Sequence, residues 1–203
     1  MFKTLLASTA IVLSLGLYAP ESEANGECTE GTLGAILGSF GPGFDTDQND
    51  FDIVREALTL FPGLVAAACD ETEELTVFLP TDKAFRILVE DLGFGSIKDE
   101  EALFNAIAGL LGAEGVLDVL TFHIAPAVYT SDIVLGAGDG FEVETLNPDN
   151  DIVLRFKGKG AQIRLQDGEP SLRNPIVRIV DIEAVNGVAH VIDRVLVPEG
   201  LLD

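Results

Sequence analysis

The residues with the clearest capacity for chemistry lie in an acidic stretch at positions 45–56, which reads DTDQNDFDIVRE. Oxygen-bearing side chains occupy its first, third, fifth and last positions, namely Asp45, Asp47, Asn49 and Glu56. This is the spacing with which a loop of about twelve residues surrounds Ca²⁺, a cation that prefers hard oxygen ligands. The spacing therefore predicts a calcium site formed by these four residues.

The same stretch departs from the calcium template where the template is strictest. Asp50 stands where the turn requires glycine, and Asp52 stands where an apolar residue is usual. The preceding Gly-Pro-Gly at 41–43 also excludes a regular entering helix. The alternative is a solvated loop that ends at Asp50, whose carboxylate would cap the next helix. The sequence leaves both interpretations open.

Two histidines, His123 and His190, are the other candidates for catalysis or metal binding. Each lies within an apolar run, so we expect buried, neutral rings whose nitrogens are hydrogen-bonded, most simply to backbone groups. A metal or proton-transfer role is the alternative. The chain has no G-x-S-x-G turn, no H-E-x-x-H motif and no phosphate-binding glycine loop. We therefore expect a protein that is not an enzyme and has no cofactor other than the calcium just considered.

The first 24 residues have the composition of a secretory signal peptide. Lys3 precedes an apolar run at 5–17, Pro20 follows it, and Ser22 and Ala24 are the small residues expected before a cleavage site. A retained membrane anchor is the alternative, but the run is shorter than the roughly 20 residues that span a bilayer. No later segment is expected to span a membrane. We predict a single mature domain at 25–203 that is exported, either to a periplasm or out of the cell.

Export would place Cys28 and Cys69, the two cysteines of the chain, in an oxidising compartment. An even number of cysteines there predicts one disulfide, which would join the N-terminal segment to the end of the first long helix. Closing a loop of this length would stabilise the fold by about 3–4 kcal/mol in the chain-entropy model. Two free thiols are the alternative.

The chain is strongly acidic, since 34 Asp and Glu residues against 12 Lys and Arg residues give a formal net charge of −22. Such a field repels nucleic acid and anionic membrane surfaces, and it favours cations or basic partners. Solubility in a saline environment is the simpler explanation of the same charge. We expect no nucleic-acid partner under either explanation.

Hydrophobic periodicity divides the chain into a helical first half and a second half of strands. Apolar residues at helical spacing in 51–65 predict a long helix capped by Asp50, and further helices are expected after Thr81 and after Asp99. A short apolar strand at 75–79 lies between the first two helices. Later strands are predicted at 141–146, 152–157, 161–166, 176–185 and 188–197. Because the connections between them are short, the pattern predicts an α+β fold with an antiparallel meander.

Three segments resemble the signature segments of fasciclin (FAS1) domains. They are TVFLPTDKAF at 76–85, LDVLTFHI at 117–124 and NGVAHVIDRVLVP at 186–198. In the second segment Phe122 stands where the family carries tyrosine, so a hydroxyl is missing. The resemblance covers essentially residues 31–198. It implies a FAS1-like fold in which the helical N-terminal half packs on an antiparallel β wedge or meander.

Fasciclin-like domains are extracellular modules associated with adhesion, so the resemblance implies an exported interaction module. Its role would lie in cell-surface or matrix adhesion or in biofilm-type contacts, with a protein or a surface as its partner. In animal members an Asp-Ile pair and a Tyr-His segment are tied to integrin binding, which points here to Asp181 and Ile182 and to Phe122 and His123. The alternative is that Asp181 and Ile182 follow the polar–apolar alternation of a strand. We expect His190 to serve the fold through backbone hydrogen bonds rather than to bind a ligand.

A second function class is a soluble carrier of an apolar small molecule such as a carotenoid. Some algal fasciclin proteins that bind carotenoids resemble this chain in their signal peptide and acidic composition. The groove would be formed by apolar residues in or beside the three segments, namely Phe78, Leu79, Phe122, Ile124 and Val188. Ordinary core packing is the alternative explanation for these side chains.

Overall fold

The computed structural model describes residues 28–157 and 162–202, so the predicted signal peptide at 1–24 lies outside the described residues. The helices of this part of the chain are α1 Leu33–Gly38, α2 Asp52–Thr59, α3 Pro62–Cys69, α4 Asp82–Asp91, α5 Glu100–Phe122 and α6 Ser131–Ala137. The strands are β1 Leu75–Pro80, β2 Ile124–Ala125, β3 Glu142–Val143, β4 Ile152–Lys157, β5 Gln162–Gln166, β6 Val177–Ala184 and β7 Gly187–Ile192. Helices dominate the first half and strands the second, which confirms the α+β class.

The strands form two sheets, with the orders β2-β1-β7-β6 and β3-β4-β5. Strands β3, β4 and β5 form an antiparallel meander, and β6 and β7 form the predicted hairpin at Asn186-Gly187. Strand β7 then pairs in parallel with β1, from Leu75 opposite Gly187 to Pro80 opposite Ile192. The sequence did not predict this pairing. Both strands are almost wholly buried, which is typical of strands in the middle of a sheet.

The helix predicted through 51–65 is two helices in the structure. Helix α2 ends at Thr59, and α3 begins at Pro62. Phe61 has an extended backbone (φ −126°, ψ 83°), because the ring of a following proline disfavours the helical conformation in the residue before it. Pro62 is itself well placed at the first helical position, where a missing N–H costs nothing. The sequence signal for this break was present, and the prediction of one helix was wrong.

Helix α5 is long and apolar enough to cross a membrane by length and composition, contrary to the expectation that no segment after the leader is. It is interrupted at Gly112, whose φ of 68° and ψ of 178° are not helical. Leu103 and Phe122 are fully buried, and Ile107 is nearly so. The burial of these side chains assigns α5 to the core of the domain.

Two main apolar clusters form that core. The first joins α2, α4 and α5 to one face of the larger sheet, where Leu79 and Val191 lie. The second fills the space between the two sheets around Phe78, Phe122 and Leu165. Burial of each large apolar side chain stabilises the fold by about 1.5–3 kcal/mol. The segment before α1 is held by the disulfide Cys28–Cys69, which confirms the predicted pairing.

Candidate functional site

Asp181 lies at an irregular point of β6, the edge strand of the larger sheet. The pairing of β6 with β7 shifts between Val177 and Ile179 and again between Ile179 and Ile182. Asp181 is the one non-glycine residue with positive φ (57°) in the described part of the chain. The predicted polar–apolar alternation therefore fails here, because a β-bulge interrupts the pleat.

The Asp181 carboxylate is fixed by the first residue of α6. It accepts a hydrogen bond from the Ser131 backbone N–H at 2.8 Å and another from the Ser131 hydroxyl. Burial opposes ionisation of Asp181, but these two hydrogen bonds outweigh it, and its pKa is lowered. A carboxylate in this position also interacts favourably with the N-terminal end of a helix. Asp181 thus ties the bulge in β6 to α6.

His190 fixes the other side of the bulge. Its Nδ1 accepts a hydrogen bond from the Asp181 backbone N–H at 3.2 Å, and its Nε2 donates to the Tyr129 carbonyl at 2.8 Å. The ring stacks on Phe78 with 5.8 Å between centroids. Burial lowers the pKa of His190, against the smaller opposing effects of Tyr129 and Asp181. The expectation of a neutral histidine satisfied by backbone groups is confirmed.

Apolar side chains are exposed beside this bulge. Ile179 is 54% exposed, Val180 is 41% exposed, and Ile133 of α6 is 50% exposed. Because Ser131 is bonded to Asp181, the start of α6 lies next to this part of β6. We call Ile133, Ile179, Val180 and Asp181 the β6 edge face. Ile182 is half-buried and packs against the core rather than adding to this face.

Phe122 and His123 lie in the interior. Phe122 is 0% exposed and His123 is 3% exposed. His123 Nδ1 donates to the Val119 carbonyl at 2.6 Å, and its Nε2 accepts from the Leu196 N–H at 3.0 Å. Burial lowers the pKa of His123 to about 4, against the smaller effect of the Val119 hydrogen bond. In this fold neither side chain offers a surface to a protein partner.

An apolar groove of about 60 Å³ lies between α1, α3 and β1. Of the five residues predicted for a ligand groove, Phe78, Leu79 and Ile124 line it. Phe122 and Val188 are buried and do not line it. The groove is also lined by residues that the sequence did not single out, among them Leu33, Leu37, Leu64 and Val77.

The predicted calcium loop does not assemble in the described residues. An Asp45 oxygen accepts the Asp47 N–H at 2.6 Å, and an Asp47 oxygen accepts the Asn49 N–H at 3.0 Å. Glu56 instead faces Arg55 at 3.1 Å. The Asp45 and Asp47 carboxylates accept backbone N–H groups of their own loop in Asx turns, and the Glu56 carboxylate forms an ion pair. Asp45, Asp47 and Glu56 are not brought together as ligands of one ion.

Asp82, not Asp50, caps α2. The Asp82 carboxylate accepts the backbone N–H groups of Asp52 at 3.2 Å and Ile53 at 3.0 Å. The predicted cap was wrong because the N-cap position belongs to Phe51, which makes no side-chain bond there. Burial raises the pKa of Asp82, and a side-chain hydrogen bond to Asp50 raises it further. Asp99 does cap α5 as predicted, through Ala102 N–H at 2.8 Å.

Glu100 brings a further carboxylate to the same place. Its Oε2 accepts the Asp45 N–H at 3.2 Å, and burial raises its pKa to about 7. Oxygens of Asp45, Asp52 and Glu100 lie within 4.8 Å of one another, as do those of Asp50, Asp52 and Asp82. We call these five residues, all buried except the exposed Asp45, the buried carboxylate cluster. The sequence places Glu100 only at the start of the helix expected after Asp99, and no local signal places it against the loop at 45–52.

With this geometry established, comparison with known proteins decides the family. A model of the Fasciclin domain matches residues 50–198 of the chain. The chain belongs to the fasciclin family. The matched segment runs from Asp50 to the end of the last signature segment, so it contains the β6 edge face and both histidines.

The comparisons also found two similar proteins. Protein sll1483 from Synechocystis sp. is 31% identical over 150 residues, which cover 68% of this chain and 67% of that protein. A FAS1 domain pair from the insect cell adhesion molecule Fasciclin I has a TM-score of 0.51 at 21% identity. That match covers 70% of this chain and 43% of the insect structure, and it establishes the FAS1 fold. Fasciclin domains are typically extracellular, non-catalytic modules of the cell-adhesion type.

Asn186 is a structural residue of this fasciclin domain whose role the sequence did not reveal. It is 1% exposed, and its Oδ1 accepts the Leu33 N–H at 2.8 Å. Its Nδ2 donates to the carbonyls of Ala68 and Asp70 at 3.0 and 2.9 Å. Asn-Gly is read from sequence as a turn, whereas here the side chain also joins α1 and α3 to the hairpin.

Proposed function

We propose that this fasciclin domain is an exported interaction module that binds a protein or surface partner in cell-surface, matrix or biofilm-type adhesion. The β6 edge face is the proposed contact surface. Membership of the fasciclin family supports the general role, and the signal-peptide composition of residues 1–24 supports export.

The observation that carries the proposal is the exposure of large apolar side chains on an edge strand. Ile179 and Val180 are about half exposed on β6, the edge strand of the larger sheet in the described residues. Strand β5 bridges only to Ile176, the residue before β6, through Arg164. Edge strands present unpaired backbone groups to other chains, and exposed apolar clusters commonly mark binding surfaces. Hydrogen bonds of Asp181 and His190 within the domain fix the bulge, so the surface does not depend on a partner to form.

The acidic composition favours a basic or neutral partner at this face. The net charge of −22 repels nucleic acid and anionic lipid, and it gives attraction at long range only toward cationic surfaces. Apolar contact with Ile179 would then supply most of the affinity, since exposed charges contribute little each.

Deletion of the gene in its native host tests the proposed role. Surface attachment should fall on deletion and recover when the full chain is restored. A chain carrying Ile179→Asp should not restore attachment, although it is exported and folded. Unchanged attachment after deletion would contradict the adhesive role itself, and full restoration by Ile179→Asp would contradict the β6 edge face as its surface.

A second candidate function, a carrier of an apolar small molecule such as a carotenoid, is favoured by the groove between α1, α3 and β1. Its lining is almost entirely apolar, as binding of such a ligand requires. Its volume of about 60 Å³ is below the roughly 300–1,000 Å³ of ligand pockets, so α1 and α3 would have to move apart on binding. The test is the absorbance spectrum of the protein isolated from its native host. Visible bands that elute with the protein on gel filtration, and that disappear in a Leu37→Asp variant, would support the carrier. A colourless protein would oppose it.

A further inference from the structure

The buried carboxylate cluster removes four acidic side chains from solvent in the presence of a single paired cation within residues 28–157 and 162–202. Asp50, Asp52, Asp82 and Glu100 are 8%, 2%, 0% and 1% exposed. Arg55 is the cation paired with the cluster among the described residues, and it contacts Asp52. Buried carboxylates are normally paired with cations or coordinated to metal ions, because removing them from water is costly. One arginine does not balance the four buried carboxylates when they are ionised.

Two oxygens of the cluster have no hydrogen-bond partner in the described part of the chain. They are Glu100 Oε1 and Asp50 Oδ1, and both are inaccessible to solvent. An unsatisfied buried polar atom costs about 1–3 kcal/mol, and more when it is charged. The other oxygen of Glu100 accepts the Asp45 N–H, so the side chain is held in place while its free oxygen remains among carboxylates. A free, buried oxygen held among carboxylates is an arrangement that suits a bound cation.

The spacing of the oxygens suits a single ion. Ligand atoms of Asp45, Asp52 and Glu100 lie within 4.8 Å of one another. Oxygens bound to one Ca²⁺ at about 2.3–2.6 Å are separated by at most roughly 5 Å. The three carboxylates come from a loop, from the start of α2 and from the start of α5, so the geometry of their oxygens is irregular. Ca²⁺ accepts such a set more readily than Mg²⁺, which requires a nearly ideal octahedron.

We propose that the buried carboxylate cluster binds one Ca²⁺ ion through Asp45, Asp52 and Glu100, with Asp50 beside it. Asp82 remains the cap of α2, where its two oxygens accept the backbone N–H groups of Asp52 and Ile53. The Asp52 oxygens accept the Asp45 N–H and contact Arg55, and each keeps a further lone pair for the ion. The ion would join the loop at 45–50 to α2 and to α5, whose first residue is Glu100. This site differs from the linear loop template, because Glu100 replaces Asn49 and Glu56 as an oxygen donor.

Calcium titration of the full chain, freed of metal with a chelator, tests the site. Calorimetry should show one ion per chain, and millimolar Ca²⁺ should raise the melting temperature by several degrees. Glu100→Gln keeps the shape of the side chain and should weaken Ca²⁺ binding at least about tenfold. The matched controls Asp47→Asn and Glu56→Gln change carboxylates of the neighbouring loop and helix, and they should bind Ca²⁺ within about twofold of the wild type.

A further variant, Asp50→Asn, and a second cation, Mg²⁺, complete the test. Asp50→Asn should also weaken binding, and it serves if Glu100→Gln does not fold. Without calcium, Glu100→Gln should be at least as stable as the wild type, because an unpaired buried charge is gone. No heat and no change in melting temperature with millimolar Ca²⁺ would overturn the proposal. So would a loss of binding in Asp47→Asn and Glu56→Gln but not in Glu100→Gln, or an equal response to Mg²⁺.

Discussion

The ring of His190 accepts a hydrogen bond from the backbone N–H of Asp181 at 3.2 Å, and this bond holds Asp181 in a left-handed conformation. Asp181 in turn binds Ser131 at the start of α6. The imidazole therefore connects β7, the bulge of β6 and the adjacent helix in one chain of contacts. A histidine that could be suspected of catalysis instead shapes the proposed binding surface.

Replacing His190 with alanine should lower stability by about 2–3 kcal/mol, because the Asp181 N–H and the Tyr129 carbonyl lose their partner and Phe78 loses a stacking neighbour. The free energy of unfolding in urea measures this loss. Val185→Ala on the same hairpin is the control, since Val185 is 61% exposed and its truncation should change stability by less than about 0.5 kcal/mol. A His190→Ala protein with wild-type stability but no partner binding would contradict the structural role.

Substitutions at Asp181 should rank in stability as wild type, Asn, Gly and then Ala. Asn tolerates the positive φ and retains an acceptor for Ser131, whereas Gly tolerates φ but loses the acceptor. Ala loses both and should cost about 1–3 kcal/mol. Urea unfolding near neutral pH gives the ranking. An alanine variant as stable as the asparagine variant would show that neither backbone strain nor the Ser131 bond matters here.

The α+β class, the disulfide and the Asp99 cap followed from local sequence, because each depends on periodicity, cysteine count or a capping residue next to its helix. The cap of α2 could not be predicted from local sequence, because Asp82 lies 29 residues from Ile53, whose N–H it accepts. Asp50 has the right type and position for a cap, and only the tertiary fold shows that Asp82 fills that role. The bulge at Asp181 was hidden for the same reason, because its cause is His190 on the neighbouring strand.

The buried histidine His123 should make the domain less stable in acid. Its folded-state pKa of about 4 lies below the ordinary value of 6.5, so the unfolded chain takes up the proton first as the pH falls. The stability contributed by the neutral ring is complete above pH 6.5 and is lost progressively between pH 6.5 and about 4. The loss amounts to about 3 kcal/mol.

Comparison of the wild type with His123→Gln isolates this effect. Burial raises the pKa of Glu100 and of Asp167, to about 7 and about 6, so these groups add stability as the pH falls and oppose the histidine. The difference in free energy of unfolding between the two proteins, measured in urea from pH 7 to pH 4, removes their contribution. A difference that does not change with pH would mean that His123 titrates normally.

Gly187 should not tolerate a side chain. It has a φ of 148°, and a Cβ there would lie 1.9 Å from the Leu75 carbonyl oxygen on the parallel neighbour strand. Gly187→Ala should therefore cost more than about 3 kcal/mol or prevent folding. Gly63→Ala in α3 is the control, because nothing lies within 4 Å of its added carbon. That variant should be neutral or more stable by up to about 1 kcal/mol. Equal yield and stability of the two variants would contradict the parallel pairing of β1 and β7.

Binding of the labelled, purified full chain to washed cells of the native host tests the proposed β6 edge face most directly. Ile179→Asp places a charge at the exposed centre of that face, and Phe94→Asp places one at a residue that is 61% exposed outside it. With both variants folded, saturable binding should fall at least about tenfold for Ile179→Asp and remain at the wild-type level for Phe94→Asp. Wild-type binding by Ile179→Asp would contradict the claim that this fasciclin domain engages its partner through the β6 edge face.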